Sequence, residues 1–386
     1  MTSAAKDSTP QTTCRWGFLS TAAIARKNWK AAIVSGNNVV TAVASRSAAS
    51  AQSFIDQCGA EIPMPCPVAA VEGYQALLER DDIDAVYIPL PTSMRKPWVL
   101  AAAAAGKHVL CEKPVADTVA DAQEMIDACA QAGVQFMDGV MFSHSARLNG
   151  IRNALENPGT LGRLRRINTS FCFSGDQAFQ TENIRVDSRL ERHGCLGDLG
   201  WYTLRMTLWV MQYRMPNRVI ARTLTSLQGN DSPEPVPGEF SAELFYDADP
   251  SAPFGIDWPV TATMYNSFLT ENQQLVAISG DQGYVTLDDF VLPFYDAEMA
   301  WYRNAHVVEI DNCRWNIRRH TKRQCVQEYP GGEANSQEVR MFRTFGENVL
   351  SSTPDPHWPE ITLKTQTLLN ACRESADANG KVVEIR

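Results

Sequence analysis

The chain has 386 residues and a mass of 42.7 kDa, enough for two or three domains of ordinary size. Hydrophobic residues make up 44% and charged residues 20%, which excludes a disordered, collagen-like or disulfide-stabilised small protein. The net charge of -9 argues against a nucleic-acid partner, because such binding needs a basic surface. No apolar run approaches the roughly 20 residues that cross a bilayer, so no membrane partner is expected.

Residues 1–13 are polar and lack the apolar segment of a secretory signal, so we expect a disordered leader. The ten cysteines are scattered and form no Cys-x-x-Cys pair, which favours reduced thiols and a cytoplasmic location. We expect no metal site, because His193 and Cys195 have no third ligand at a suitable spacing.

Short apolar strands alternate with helices over the first third of the chain. Strands are predicted at 15–20, 39–45, 85–88, 108–111 and 134–138, and helices at 22–35, 48–58, 74–79, 95–105 and 119–132. This alternation is typical of βαβ units with parallel strands. It predicts an α/β Rossmann domain, a doubly wound parallel sheet, over residues 14–138.

The pattern changes after residue 139. Strands are predicted at 165–173, 218–226, 239–246, 260–267, 274–278, 284–287 and 306–310, and helices at 147–156, 197–212, 337–350 and 361–378. Consecutive strands joined by turns predict an α+β domain over 139–386 with a large, mostly antiparallel open sheet. An uncovered apolar sheet face predicts a homodimer or a higher homo-oligomer. The basic run 314–323 is interpreted as a solvated face.

The turn after the first strand has small residues where a backbone must approach a pyrophosphate. These are Gly17, Ser20 and Ala22, a reduced form of the G-x-G-x-x-G pattern, so an ordinary strand-to-helix turn stays an alternative. The second strand ends in Ser45-Arg46 rather than in an acid. That pair suits the 2'-phosphate of NADP, although NAD and a merely solvated Arg46 stay open.

Lys113 follows the strand 108–111, at the sheet edge where ligands bind in open α/β folds. Asp198 and Tyr202 are four residues apart on a predicted helix and share one face. A tyrosine phenol can donate or accept a proton, and a neighbouring lysine cation would lower its pKa. The alternatives are a solvated lysine before Pro114 and an ordinary helix-start carboxylate with an amphipathic tyrosine.

From about residue 15 to 383 the chain resembles the Gfo/Idh/MocA oxidoreductases. The resemblance is carried by the first turn, by 83–89, by Glu112-Lys113-Pro114 and by Asp198-x-Gly200-x-Tyr202. Tyr202 stands where inositol-dehydrogenase-like members have histidine, so the chain looks most like the dimeric dihydrodiol dehydrogenase and NADP-dependent D-xylose dehydrogenase branch. Arg95 stands where many members have histidine.

The resemblance implies an NADP-dependent oxidoreductase that moves a hydride between nicotinamide and a hydroxyl-bearing carbon of a sugar or cyclic diol. It implies that the catalytic residues are Lys113, Asp198 and Tyr202. The residues expected at the cofactor are Gly17, Ser20, Thr21, Ala22, Ser45, Arg46, Pro91, Arg95, Glu112 and Lys113. Those expected at the substrate are Phe142, His144 and Asn183, with specificity set by the loops 173–186 and 291–303. Two alternatives stay open: a non-catalytic NAD(P)-binding regulatory or scaffold protein, and a glucose-fructose-type enzyme that retains its cofactor.

Overall fold

The structure is a computed structural model that describes residues 12–251, 256–294, 298–351 and 353–385. Nearly all of the predicted leader therefore lies outside the described residues. Among the described residues, no helix combines the length and the apolar character needed to span a membrane.

Six parallel strands form the first sheet, in the order β3-β2-β1-β4-β5-β6, and the strand order reverses between β1 and β4. The strands are β1 (Cys14–Leu19), β2 (Asn38–Ser45), β3 (Ala69–Glu72), β4 (Ala85–Ile88), β5 (His108–Cys111) and β6 (Phe136–Asp138). The helices between them are α1 (Ala23–Val34), α2 (Ala48–Glu61), α3 (Tyr74–Leu78), α4 (Thr92–Ala104) and α5 (Val119–Gln131). The predicted Rossmann sheet is confirmed. The edge strand β3 was not predicted, because it is only four residues long, contains two alanines and is only partly buried.

Nine strands form the second sheet, in the order β14-β13-β12-β11-β7-β10-β9-β8-β15. They are β7 (Leu164–Ser174), β8 (Arg218–Leu227), β9 (Val236–Tyr246), β10 (Val260–Ser267), β11 (Leu269–Gly280), β12 (Tyr284–Leu287), β13 (Met299–Asp311), β14 (Arg314–Val326) and β15 (Val383–Glu384). All neighbouring pairs are antiparallel except β7 with β10, so the predicted mostly antiparallel sheet is confirmed.

The prediction for the end of this sheet was incomplete. The strand predicted at 306–310 is the C-terminal half of β13, which pairs along its whole length with β14. Asn312 and Cys313 connect the two strands, both with positive φ, as a two-residue hairpin turn requires. The basic run 314–323 therefore belongs to a strand. Its many charged residues hide the apolar alternation by which strands are recognised.

Seven further helices occur in the part of the chain that the structure describes. They are α6 (Arg147–Glu156), α7 (Pro158–Leu161), α8 (Gln177–Glu182), α9 (Gly194–Asp198), α10 (Gly200–Val210), α11 (Gln337–Leu350) and α12 (His357–Asp377), with 3₁₀ turns at Met141–His144 and Ile184–Val186. The helix predicted at 197–212 is divided at Leu199 into α9 and α10. Helix α11 returns to the first sheet, where the rings of Phe342 and Phe345 lie 5.1 and 4.9 Å from the Trp16 ring.

A buried salt bridge joins helix α10 to the first sheet. Arg205 of α10 donates to Asp138 at the end of β6 over 2.6 Å, and the two side chains are only 0% and 1% exposed. Asp138 also accepts from the Trp201 indole at 2.9 Å, and Arg205 donates to Thr365 of α12 at 2.7 Å. The pair therefore fixes helix α10 against the edge of the Rossmann sheet.

We expect Asp138→Ala to lower the free energy of unfolding by about 3–5 kcal/mol, because it leaves the Arg205 guanidinium buried without its anion. Urea denaturation followed by circular dichroism measures this loss. Asp82→Ala is the matched control: it breaks a solvent-exposed pair with Arg80 and is expected to cost less than about 1 kcal/mol. A similar small loss for both variants would contradict the anchoring role of Asp138.

Candidate active site

A cavity of about 480 Å³ opens at the carboxyl edge of the first sheet, where the strand order reverses. Open α/β sheets bind their ligands at this position. Residues that follow β1, β4, β5 and β6 line the cavity, together with others from the 183–202 region and from α11. The lining includes Ser20, Ala22, Asn28, Pro91, Arg95, Glu112, Lys113, Met141, Asn183, Arg185, Glu191, Tyr202 and Glu338.

The turn after β1 offers backbone N–H groups to this cavity. Helix α1 begins without a side-chain cap, and its first residues, Ala22 and Ala23, line the cavity with small side chains. Ser20 has a φ of 131°, a conformation in which glycine is usual, and its hydroxyl accepts from the Ala22 N–H at 3.0 Å. An uncapped helix start with close backbone access suits a phosphate group.

Gly17 lies inside β1, outside the cavity lining. A Cβ added there would approach the Leu77 side chain to 2.5 Å, so this glycine packs closely against α3. Thr21 also lies outside the cavity lining.

Ser45 and Arg46 lie at the carboxyl end of β2, beyond the residues that line the cavity. Ser45 is buried and Arg46 is exposed. Burial raises the pKa of Tyr74, while Ser20 and Arg46 act in the opposite direction, which places Arg46 beside the turn after β1. The position suits contact with the far end of a dinucleotide whose pyrophosphate lies at α1.

The structure brings Lys113, Asp198 and Tyr202 together. The Lys113 ammonium donates to the Asp198 carboxylate at 2.6 Å and to its backbone carbonyl at 3.0 Å. The same nitrogen lies 4.7 Å from the centre of the Tyr202 ring. Lys113 follows β5, and the other two residues belong to α9 and α10, so the set spans both parts of the molecule.

The prediction that the pKa of Tyr202 lies below its ordinary value, because of Lys113, is wrong. Burial raises the pKa of Tyr202 well above its ordinary value, and the carboxylates of Glu112 and Asp198 raise it further. Lys113 contacts the face of the ring, and its charge is paired with Asp198, so burial outweighs any effect of this cation on the phenol. The Tyr202 hydroxyl lies 3.7 Å from the Met141 sulfur and stays protonated at neutral pH.

Arg185 and Glu191 line the cavity but were not predicted as site residues from the sequence. Arg185, in the 3₁₀ turn at 184–186, lies 2.9 Å from Glu191 and 3.3 Å from Asp198. Burial alone would raise the pKa of Asp198, but Arg185 and Lys113 lower it to about 2. The one feature of the sequence that pointed to Arg185 as a site residue was its position in the loop 173–186, which was expected to set substrate specificity.

Glu112 is held by a buried hydrogen-bond chain. Asn28 of α1 donates to the Tyr87 hydroxyl at 2.6 Å, and that hydroxyl donates to Glu112 at 2.7 Å. The second Glu112 oxygen accepts from the Lys113 N–H at 3.2 Å. The carboxylate is therefore fixed at the cavity wall next to Lys113.

Arg95 lines the cavity, but its guanidinium is engaged by the protein. It donates to the Leu90 carbonyl at 2.7 Å, to Thr92 at 3.1 Å and to the Pro114 carbonyl. These bonds tie the loop after β4 to the loop after β5, which presents Lys113. Arg95 therefore acts as a brace for both loops.

Of the three residues expected at the substrate, Asn183 lines the cavity. Phe142 is buried behind it, with its ring centre 6.2 Å from that of Tyr202. His144 stacks on Trp358 at 4.6 Å, outside the cavity lining, and burial lowers its pKa to about 3. No group of metal-binding side chains occurs within the described part of the chain.

Each of the two domains matches a family model of known proteins. Residues 15–140 match the Gfo/Idh/MocA oxidoreductase family model with an NAD-binding Rossmann fold, and residues 151–286 match the Gfo/Idh/MocA C-terminal domain. A D-xylose 1-dehydrogenase (NADP(+)) from Haloferax volcanii is 31% identical over 68% of this chain and 75% of its own length.

Other relatives reduce a nucleotide-linked keto sugar. A dTDP-3,4-didehydro-2,6-dideoxy-alpha-D-glucose 3-reductase from Streptomyces violaceoruber is 39% identical over 43% of this chain and 45% of its own length. The chain spans about half the length of the curated 3-reductases it matches. A variant 3-ketoreductase from Actinomadura kijaniata, solved with TDP-benzene and NADP, is 25% identical with a TM-score of 0.73, covering 94% of this chain and 98% of that one.

The parallel sheet with its cavity, the second sheet and the two domain matches agree with one another. The chain belongs to the Gfo/Idh/MocA family of oxidoreductases, and its first domain is the NAD-binding Rossmann domain of that family.

Proposed function

We propose that the protein is an NADP-dependent oxidoreductase that interconverts a carbonyl and a hydroxyl group on a sugar. The observation that carries this proposal is the contact of Lys113 with both Asp198 and Tyr202 in the cavity at the edge of the Rossmann sheet. A non-catalytic dinucleotide-binding protein would have no need for a buried lysine, carboxylate and phenol at that point.

The residues present fit the dinucleotide. The uncapped start of α1 offers N–H groups to the pyrophosphate, and the small side chains of Ala22 and Ala23 leave room for it. Arg46, exposed at the end of β2, supplies the cation that a 2'-phosphate needs. When bound, the nicotinamide supplies the hydride chemistry.

Tyr202 is the proton donor for a carbonyl substrate. Its phenol is protonated at neutral pH, since burial and two carboxylates oppose ionisation. The Lys113 ammonium, held by Asp198, stands beside the ring and can donate a hydrogen bond to the same substrate oxygen. The neutral phenol favours reduction of a carbonyl over oxidation of an alcohol at neutral pH.

The polar lining favours a substrate rich in hydroxyl groups. Asn183, Arg185 and Glu191 all face the cavity and can exchange hydrogen bonds with such groups. Curated relatives act on D-xylose and on a keto sugar. We therefore place a sugar ahead of the cyclic diol that the dihydrodiol dehydrogenase branch would take.

Two further features belong to the proposal. All ten cysteines are free, seven of them buried, which fits a reducing cytoplasm.

The uncovered face of the second sheet fits a homo-oligomer, as expected from the sequence, although its central side chains are mostly polar rather than apolar. Arg166, Asn168, Thr263 and Tyr265 are examples, and all four are partly exposed.

We expect the wild-type protein to oxidise NADPH in the presence of keto sugars, and to reduce NADP more slowly with aldoses. Tyr202→Phe is expected to lower kcat by roughly 10²–10⁴-fold, because it removes the proton donor and keeps the ring. The absorbance of the nicotinamide follows turnover on a panel of keto sugars, aldoses and trans-diols, and calorimetry measures NADP binding, which is expected to stay unchanged.

Tyr246→Phe is the matched control, since Tyr246 is also buried and lies outside the cavity lining. Its kcat is expected to equal that of the wild type. If Tyr202→Phe keeps more than about a third of the wild-type kcat, the role of Tyr202 as proton donor is wrong.

We expect Arg46→Ala to weaken NADP binding by roughly ten- to a hundredfold and to leave NAD binding nearly unchanged, since one charge-assisted phosphate contact is lost. Calorimetric titration with each cofactor separates the two effects. Arg80→Ala, which removes a partly exposed arginine already paired with Asp82, serves as the control. Equal losses for NADP and NAD would contradict a 2'-phosphate contact at Arg46.

We expect Arg185→Gln to move the acid limb of the kcat/KM profile to higher pH by about one pH unit or more. Arg185 helps to hold the pKa of Asp198 at about 2, so its loss lets burial raise that pKa and protonate the carboxylate that holds Lys113. Arg189→Gln removes an exposed arginine of the same loop and is expected to leave the profile in place. An unshifted acid limb in Arg185→Gln would show that Asp198 does not control activity.

A further inference from the structure

Glu191 is a carboxylate on the cavity wall whose two oxygens are both held by groups of the protein. It lines the cavity, yet only 4% of the residue is exposed. One oxygen accepts from the Thr92 N–H at 3.1 Å, and the other accepts from the Thr92 hydroxyl at 2.6 Å. The Arg185 guanidinium lies 2.9 Å from the first oxygen. Because a buried charge is costly unless it is paired and hydrogen-bonded, these contacts keep Glu191 in its place.

The first contact of Glu191 is with the start of helix α4. The N-cap residue of this helix, Pro91, forms no side-chain cap. The Glu191 carboxylate takes that place from 99 residues away in the chain, and beside it the Ser93 N–H donates to the Leu190 carbonyl at 3.3 Å. An anion at a helix N-terminus satisfies free N–H groups and is favoured by the helix dipole. Glu191 therefore fixes the turn after β4, where Pro91 lines the cavity.

The Thr92 hydroxyl extends this contact to the loop after β5. It donates to Glu191 and accepts from the Arg95 guanidinium at 3.1 Å. Arg95 in turn donates to the carbonyl of Pro114, the residue directly after Lys113. Through two side chains, Glu191 therefore also supports the loop that presents Lys113.

The second contact of Glu191 balances charge around Asp198. Lys113 and Arg185 bring two cations to the same oxygen of the Asp198 carboxylate, at 2.6 and 3.3 Å. Glu191 supplies a second anion, in direct contact with Arg185. Without it, two cations would share one carboxylate, and an excess of positive charge away from water is unfavourable. Glu191 thus holds Arg185 where it faces Asp198.

We propose that Glu191 is a positioning residue with two separable tasks. Its hydrogen bonds from Thr92 hold the turn that faces the cofactor, and this task needs only an oxygen acceptor. Its charge holds Arg185 against Asp198, and this task needs an anion. The inference rests on the proposed function, since it takes NADP to lie along the turn after β4 and the charged groups around Lys113 to serve the substrate.

Two substitutions of Glu191 separate these tasks. Glu191→Gln keeps an oxygen that accepts from the Thr92 N–H, so the NADP dissociation constant is expected to stay within about twofold of the wild type. It removes the charge that holds Arg185, so kcat/KM for a keto sugar is expected to fall roughly 10–100-fold. Glu191→Ala removes both and is expected to weaken NADP binding by about tenfold as well. Calorimetry measures NADP binding, nicotinamide absorbance measures turnover, and circular dichroism shows that each variant is folded.

A double-mutant cycle tests the route through Arg185. If Glu191 acts on turnover by holding Arg185, the double variant Arg185→Gln, Glu191→Gln is expected to lose no more kcat/KM than Arg185→Gln alone. A residue that only stabilises the fold would act independently of Arg185. Losses that multiply in the double variant would therefore overturn the proposal.

Glu239→Gln is the matched control. The Glu239 carboxylate accepts from the hydroxyls of Thr225 and Tyr265, much as Glu191 accepts from Thr92, but it lies on β9 of the second sheet, outside the cavity lining. Its NADP binding and its kcat/KM are expected to equal those of the wild type. The proposal is wrong if Glu191→Gln turns over like this control, or if it loses as much NADP affinity as Glu191→Ala.

The same measurements separate this inference from the proposed function. Full activity in the wild type and in both Glu191 variants would count against the positioning role alone. A wild type that binds NADP but turns over no sugar would count against the enzymatic proposal, while NADP binding by the two variants would still test the contact with Thr92. A wild type that does not bind NADP would overturn both.

Discussion

The buried pair of Arg205 and Asp138 is the interaction on which the active site depends. Asp138 pairs with Cys111 across the β5–β6 register, and Lys113 follows two residues after Cys111. The other member of the salt bridge, Arg205, lies on α10, the helix that also carries Tyr202. The salt bridge therefore sets the position of α10 over the sheet edge and, with it, the 4.7 Å between the Lys113 ammonium and the Tyr202 ring. An ion pair taken fully out of water gains little net stability, but it has a strict geometry, which fixes the helix that carries Tyr202.

The charges around the cavity then decide what each group can do. Lys113 and Arg185 both face Asp198, so the carboxylate is ionised down to a pH of about 2 and the lysine charge is largely neutralised by its partner. Burial raises the pKa of Tyr202 and the carboxylates of Glu112 and Asp198 raise it further, against the opposing effect of Arg185, so the phenol keeps its proton. The Lys113 ammonium lies over the ring face and does not offset burial, which is the largest cause of the raised pKa.

The sequence identified several residues of this site but not all of them, and not the direction of the Tyr202 pKa shift. The spacing of Asp198 and Tyr202 and the position of Lys113 after a buried strand made these residues candidates, and the family resemblance implied that they form one set. The single helix expected for Asp198 and Tyr202 is divided at Leu199. The sign of the Tyr202 pKa shift was predicted wrongly, since it depends on three-dimensional burial and on the pairing of Lys113 with Asp198. Arg185 comes from a loop with no periodic pattern, and Gly17 packs closely against Leu77, which is distant in sequence. Strand β14 was missed because its alternation is between charged and apolar residues that both remain exposed.

The contacts of helix α11 with the first sheet also limit how the site can move. Helix α11 returns from the second sheet to the first, where Asn38 donates to the Phe342 carbonyl at 3.0 Å and Trp16 packs between Phe342 and Phe345. The same helix supplies Glu338, which pairs with Lys27 of α1 at the cavity rim. Separating the sheets would break these buried contacts together with the Arg205–Asp138 pair. Lys113, Asp198 and Tyr202, the proposed catalytic residues, are therefore held between elements that these contacts join on folding.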